Sequence, residues 1–267
     1  MDKRAVIDGD ILLFQAGFAA EKAHYLLRWE SEEQEFPSKK EVLVFLDENK
    51  IKDYELVRWR EVEPLSHAIQ NIETLIASIA DTTKVTKVEI YLTGRDNFRL
   101  KLAPWYKATR NKSYRPVHEK ALKDFLVSSH YRAEIVNGQE ADDALGIQVC
   151  SFPQSTILCS VDKDLLMIPG WHYNWSKGTV FYQEPDSALE CFYKQLLMGD
   201  RIDNIPGVPG LGEVRATALL KEKGVSFKTC REAYQKAGLS EEQLLLNGKL
   251  LWIRRKPDEI WNPPDEI

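Results

Sequence analysis

The sequence predicts an α/β protein with a central, mostly parallel sheet, and three observations carry that expectation. Short apolar, β-branched runs recur at 4–8, 87–92, 133–136 and 156–161. Stretches with apolar residues at three-and-four spacing separate or follow them, at 62–81, 117–129, 140–150 and 188–198. Acidic residues cluster where these strands end or these helices begin. Strands alternating with helices build βαβ units, and such sheets carry their sites beyond the C-terminal ends of the strands.

The first strand is expected in RAVID, and MDKRAVIDGD lacks the basic-then-apolar pattern of a signal peptide. Residues 18–61 fit the alternation poorly. They are charged, with Trp29, Phe45 and Trp59 dotted through them, and read as a peripheral insertion of hairpin type. The expected division is an α/β domain over 1–187, a helical lobe over 188–256 and an irregular, Pro-rich acidic tail over 257–267. No apolar run approaches the roughly 20 residues of a membrane helix. Cys150, Cys159, Cys191 and Cys230 form no C-x-x-C pair, so a zinc site is not expected and a reducing, cytoplasmic setting is.

The 267 residues carry 36 basic and 41 acidic side chains, a net charge of −5, which taken alone argues against a polyanion partner. The distribution argues the other way. Residues 95–123 hold nine basic residues against Asp96 and Glu119, a local balance of +7. A basic surface for phosphates thus lies next in sequence to groups of acids.

Four segments present those acids. Asp8 closes the first strand in VIDGD, and Asp10 follows. Glu140, Asp142 and Asp143 open a helix in QEADDALG, with Glu140 and Asp143 on one face. Asp162 and Asp164 follow the strand TILCSV, and Asp200 and Asp203 stand in MGDRIDN. Hard cations such as Mg²⁺ take oxygen ligands and keep several waters. Two such ions about 3.5–4 Å apart clamp a scissile phosphate, and neutralising them needs many carboxylates. Any one pair alone reads more readily as a helix cap. Four groups at the expected edge of one sheet favour metal, with Asp10 also explicable as a cap.

In order along the chain, VIDGDILLFQA, NFRLKLAPWYKATR, EADD, SVDKDLL and MGDRIDNIPGVPGLG resemble the 5′ nuclease superfamily of flap endonucleases and 5′–3′ exonucleases, and most closely its phage-encoded exonuclease branch. The matching pieces cover most of 4–220. The resemblance implies a three-layer PIN-like α/β domain with a helix-hairpin-helix-type DNA-binding lobe. It implies that Asp8, Glu140, Asp142, Asp143, Asp162, Asp164, Asp200 and Asp203 hold two Mg²⁺ ions, for which Mn²⁺ substitutes. It assigns Tyr106, Lys107 and Arg110 to the reacting phosphate, with the aromatic ring contacting DNA. The family usually has an acid straight after the second major strand. Here Gly94 stands about there, and Asp96, two residues on, is the candidate replacement.

The segment IDNIPGVPGLGEVRATALL resembles the family's hairpin, in which a monovalent cation, usually K⁺, often sits on the backbone carbonyls. Gly207, Gly210 and Gly212 allow close approach to a phosphate, and the next helix start offers N–H groups to it. Val214 replaces a commonly basic residue, and Arg215 follows it. Arg99, Lys101, Lys112 and Arg115 are expected to line the DNA entrance. Only 29 residues separate Arg110 from Glu140, which predicts a short or open clamp. His118 is a weak candidate base, because metal-bound water needs none.

The expected reaction is hydrolysis of DNA from or near a 5′ end, leaving a 5′-phosphate and 3′-hydroxyl, by a monomer located in the cytoplasm (the host's, if phage-encoded). Duplex DNA with a free or flapped 5′ end is the expected partner, and an RNA–DNA hybrid a further one. Two alternatives stay open. A PIN-type ribonuclease would share the acids without needing IPGVPGLG, and a non-catalytic DNA-binding relative would have lost several of them.

Overall fold

The computed structural model describes residues 3–110 and 114–264. The chain runs β1 (Arg4–Asp8), α1 (Gly9–Ala19), β2 (Glu21–Trp29), β3 (Glu32–Phe36), α2 (Lys39–Glu48), β4 (Glu55–Val62), α3 (Leu65–Thr83), β5 (Lys87–Thr93), α4 (Phe98–Leu102) and α5 (Glu119–Ser128). It continues through β6 (Glu134–Val136), α6 (Ala141–Ser151), β7 (Thr156–Cys159), a 3-10 turn (Asp164–Met167), β8 (Gly170–Asn174), β9 (Thr179–Gln183) and α7 (Pro185–Met198). Last come β10 (Gly199–Asp200), β11 (Ile205–Pro206), α8 (Glu213–Lys223), α9 (Phe227–Lys236) and α10 (Glu241–Leu251).

Two compact units result: 1–12, 76–114 and 126–267 form one, and 13–75 with 115–125 the other. The first holds a six-stranded sheet of order β6-β5-β1-β7-β8-β9, parallel except for the antiparallel β8–β9 pair. The central strand β1 is buried on both faces, which is why it reads as the unbroken apolar run AVI. Register places Asp8 opposite Tyr91 and Ile7 opposite Cys159. The ends of β1, β5 and β7 therefore finish side by side, and their acids are gathered at one edge.

Helix α6 packs Ala141, Ala144, Leu145 and Val149 with Val6, Tyr91 and Leu158 of the sheet. Because it starts soon after β6 ends, its first turn lies at the same C-terminal edge. The helical segment from 185 is not set apart from the sheet. It belongs to the same unit, and its core of Phe192, Leu196, Leu220, Phe227 and Tyr234 also takes in Ala103, Tyr106 and Met167. The tail lacks regular structure as far as it is described, yet Trp261 is buried against Phe192 and Phe227.

Gly199 and Gly207 hold the hairpin together. Gly199 has φ +71°, and a Cβ there would lie 2.2 Å from the Gly207 nitrogen. A Cβ on Gly207 would in turn meet the Met198 carbonyl carbon at 2.1 Å. Only two glycines let these backbones touch.

In the second unit the insertion is larger than a hairpin. β3-β2-β4 form an antiparallel sheet, and α2 packs Val42 and Leu46 on Leu27 and Phe36. Ser38 caps α2 by accepting from the Glu41 N–H at 3.2 Å.

Candidate functional site

The acids at the sheet edge are positioned by local backbone geometry. Asp8, 2% exposed, accepts from the Ile11 N–H at 3.1 Å and from the Ser160 hydroxyl at 2.8 Å. Ser160 Oγ also accepts from the Asp162 N–H, and Asp162 Oδ1 from the Asp164 N–H at 2.9 Å, so the turn after β7 aims both acids. Asp200 Oδ1 accepts from the Ile202 and Asp203 N–H groups. Asp10 accepts from the Thr93 N–H with both oxygens at 3.2 Å, tying α1 to the end of β5.

Their electrostatics record mutual crowding. Burial, with Asp10 and then Asp162, pushes the Asp8 carboxyl up to about 7. Burial raises Asp142 well above the carboxylate range, helped by Asp8, Asp162 and Glu140. Burial, Asp162 and Asp200 push Asp164 up to about 6. Carboxylates this close resist ionising together unless cations join them.

Protein cations meet the other part of the group. Lys107 Nζ donates to Glu140 Oε1 and lies 3.6 Å from Asp203 Oδ2. Arg110 donates to Asp203 Oδ1 from Nε (2.9 Å) and Nη2. The Tyr106 hydroxyl lies 3.0 Å from both Glu140 Oε2 and Asp203 Oδ2. One hydroxyl proton faces two carboxylates, and burial holds the phenol protonated. The loop stays in register because the Lys107 N–H donates to the Asp203 carbonyl, with Lys107 at φ +57°. A cavity of about 30 Å³ lies among Glu140, Asp142, Asp164, Asp200 and Asp203, room for one water-sized species. A groove of about 710 Å³ adjoins it, lined by Lys163, Asp164, Lys194, Asp200 and the hairpin.

The donor set is oxygen alone, with no His or Cys, which suits a hard cation that retains waters. Among the described residues no three acid, His or Cys side chains converge as a preassembled cage. The acids face one another and Lys107, Arg110, Tyr106 and Ser160 instead. Asp8, Glu140, Asp142, Asp162, Asp164, Asp200 and Asp203 all belong to this group.

Asp143 does not, and this corrects the sequence reading. It is fully buried and binds Arg99 bidentately, Oδ2 to Nη1 at 2.6 Å and Oδ1 to Nη2 at 2.9 Å. It also accepts the N–H groups of Arg254 and Glu140, each at 3.0 Å. Arg99 and these hydrogen bonds hold its carboxyl below the usual range despite burial. All its lone pairs are directed at protein donors. Arg99 is corrected with it: at 2% exposure, donating also to the Leu250 and Trp252 carbonyls, it offers nothing to DNA.

Tyr106, at 3% exposure, cannot present a ring face to a base, because its ring is part of the helical core. At Gly94 a Cβ would strike the Val136 carbonyl oxygen at 2.3 Å, so no acid is possible on this backbone. Asp96 is exposed, and the acids whose charge bears on Asp8 are Asp10 and then Asp162.

Of the remaining candidates, Lys101 is exposed and Lys112 lies outside the described residues. Arg115 pairs with Glu119, and His118 contacts the Glu63 carbonyl oxygen, both within the second unit. Between Arg110 and Glu140, α5 and β6 take 119–128 and 134–136. Gly210 (φ +79°) turns the hairpin, and Arg215 donates to its carbonyl at 3.0 Å. Gly212 precedes α8 with no side-chain cap, so that helix start keeps its N–H groups unclaimed by a capping side chain.

A parallel sheet with carboxylates from four segments gathered at its C-terminal edge defines a protein of the acidic-pocket α/β class. In sequence the chain is similar to 5′-3′ exonucleases and to DNA polymerase I, and in fold to phage nucleases of the 5′ nuclease superfamily. It is 29% identical over 188 residues to DNA polymerase I of Bacillus caldotenax, covering 61% of this chain and 21% of that protein. It is 28% identical over 170 residues to a 5′-3′ exonuclease of Buchnera aphidicola subsp. Schizaphis graminum, covering 58% of each. The chain thus spans about a fifth of the one relative and just over half of the other. No protein-family model matches it. In fold it is similar to the 5′-exonuclease of phage T5 with bound zinc, at TM-score 0.59, 19% identity and coverage of 93% and 89%. A T5 flap endonuclease complex with DNA and metal ions superposes at TM-score 0.57 and 18% identity, covering 93% and 88%. Among the described residues no helix is long and apolar enough to cross a membrane.

Proposed function

We propose that this chain is a metal-dependent nuclease that hydrolyses DNA phosphodiesters at or near a 5′ end. The observation that carries the reading is the group of seven acids at the sheet edge, faced by Lys107 and Arg110. Asp8, Glu140, Asp142, Asp162, Asp164, Asp200 and Asp203 would hold the metal. Two Mg²⁺ ions are the natural occupants. Such ions, when bound, lower the pKa of the attacking water and stabilise the departing oxygen.

The chain's own groups do the rest. Lys107 and Arg110 offset the negative charge that grows on the phosphate. Tyr106 orients Glu140 and Asp203 from below. The adjoining groove, with Lys163 and Lys194 on one wall and the 205–212 hairpin on the other, is the path for the DNA backbone. Backbone N–H groups at the start of α8 and Arg215 take phosphates there without reading sequence, and the hairpin carbonyls offer K⁺ a seat. A product with 5′-phosphate and 3′-hydroxyl, a short open clamp and action on RNA–DNA hybrids belong to the same reading.

Turnover with Mg²⁺ on 5′-flapped duplex DNA, compared with structured RNA, tests it. Cleavage of the flapped DNA and not of the structured RNA supports the 5′ nuclease. Cleavage of structured RNA alone replaces it with the ribonuclease reading.

A further inference from the structure

Burial of Tyr106 leaves the loop 103–110 with a different aromatic at its surface. Trp105 is 37% exposed, while its neighbours Ala103 and Tyr106 are buried. Its backbone is fixed: the carbonyl accepts from the Asn204 side-chain amide at 3.0 Å and from the Ala108 N–H at 3.1 Å. Asn204 reaches it from a left-handed conformation, φ +62°. The indole is thus an exposed, polarisable face on an anchored stem. It borders a cavity of about 480 Å³ completed by Thr109, Arg201, Asn204, Ile205 and Pro206.

The chemistry of this cavity selects one kind of occupant. Ile205 and Pro206 give an apolar wall, Thr109 offers a hydroxyl, and Arg201 is an exposed cation with no ion pair among the described residues. No acid lines it. An aromatic face beside an unpaired guanidinium suits a planar, anionic-backbone ligand, since every base has a π-face and its phosphate a negative charge. The cavity is also continuous in sequence with the acid pocket on both sides. Trp105 immediately precedes Tyr106 and Lys107, and Asn204 immediately follows Asp203.

We infer that Trp105 and Arg201 form a stacking subsite for an unpaired nucleobase of the DNA strand held at the acid pocket. The inference rests on the nuclease reading for the identity of the strand, and its test separates the two.

Binding of 5′-flap DNA is measured by anisotropy with Ca²⁺ in place of Mg²⁺, beside single-turnover cleavage with Mg²⁺. The flap series carries one abasic nucleotide at successive positions across the junction. Stacking on one aromatic accounts for about a 5- to 150-fold change in affinity. Trp105→Ala and Trp105→Leu are expected to lose that factor on flap DNA, and Trp105→Phe to recover most of it. All three are expected to bind blunt duplex like the wild type, which also reports that they fold. One abasic position should reproduce the loss in the wild type and add nothing in Trp105→Ala. Unchanged flap affinity in Trp105→Ala, equal loss on blunt duplex, or no sensitive abasic position overturns the subsite. Cleaving wild type with any of those results leaves the nuclease standing. The abasic pattern without turnover keeps the subsite and removes the nuclease. A wild type that binds no DNA overturns both.

Discussion

Asp142 and Asp143 are neighbours of one residue type at the start of α6, and the structure gives them opposite surroundings. Replacing each with asparagine tells them apart. Asp143→Asn removes the carboxylate that binds the buried Arg99 guanidinium bidentately, leaving it the Leu250 and Trp252 carbonyls and the Glu140 carboxylate at 3.6 Å. Breaking a buried pair by removing one partner costs about 3–5 kcal/mol. That is a large part of the roughly 5–15 kcal/mol that holds a domain folded. At about 2–4 °C per kcal/mol for a chain of this size, Tm should fall by about 10 °C. Asp142→Asn instead removes a charge that Asp8, Asp162 and Glu140 oppose, so the metal-free protein should be at least as stable as wild type. Urea unfolding in EDTA, repeated with Mg²⁺, reads both effects. Mg²⁺ should stabilise the wild type and Asp143→Asn by mass action, and Asp142→Asn much less. An Asp143→Asn protein with the wild-type urea midpoint and no stabilisation by Mg²⁺ would refute the reasoning and return Asp143 to the metal pocket.

Lys107→Ala should slow single-turnover cleavage by on the order of 10²-fold or more, the usual cost of a preorganised charge; an unchanged rate removes Lys107 from the chemistry. Burial and Asp10 push the Asp8 carboxyl up to about 7 in the fold, against about 3.9 unfolded, so the metal-free fold loses stability as the pH rises from about 4 to about 7. Asp8→Asn should therefore raise Tm in EDTA at pH 8, with the gain fading as the pH falls through 7 toward 5; a gain that grows on acidification contradicts the assignment. Gly199→Ala would force a Cβ into the Gly207 nitrogen at φ +71°, and should cost at least 1–3 kcal/mol of strain by the roughly known price of such conformations, together with DNA affinity, measured by urea midpoint and anisotropy. DNA affinity should fall linearly in log–log form with salt, and a flat response would rule out phosphate-led binding.

Much of the first unit was legible because its sheet is buried. β1, β5, β6 and β7 read as apolar runs, and their helices as three-and-four patterns, with ends differing by a few residues. β8 and β9 escaped because GWHYN and TVFYQ are short and form an edge hairpin with half-exposed residues. The second unit's sheet escaped for a stronger reason. EEQEF has little intrinsic strand preference, and Glu33 is held by Arg28 across the pair, a contact that local sequence does not reveal. In the site, the acids at strand ends were legible from position alone. The distinction between Asp142 and Asp143 was not, because Arg99 lies 44 residues from Asp143 and only packing brings it there. A signal did exist: Asp143 stands three residues after Glu140, where a side chain reaches back to cap the helix start. Likewise Tyr106 and Trp105 are adjacent aromatics, and the helical core decided which one was buried.

The most direct test of the central claim is a product ladder from duplex, flapped and single-stranded DNA labelled at the 5′ end, run with Mg²⁺ or EDTA on wild type and Asp142→Asn. A metal-dependent 5′ nuclease releases short labelled products from duplex or flap with Mg²⁺ alone, and Asp142→Asn releases none although it still binds the DNA. Products in EDTA, or none from the wild type with either Mg²⁺ or Mn²⁺, would contradict it.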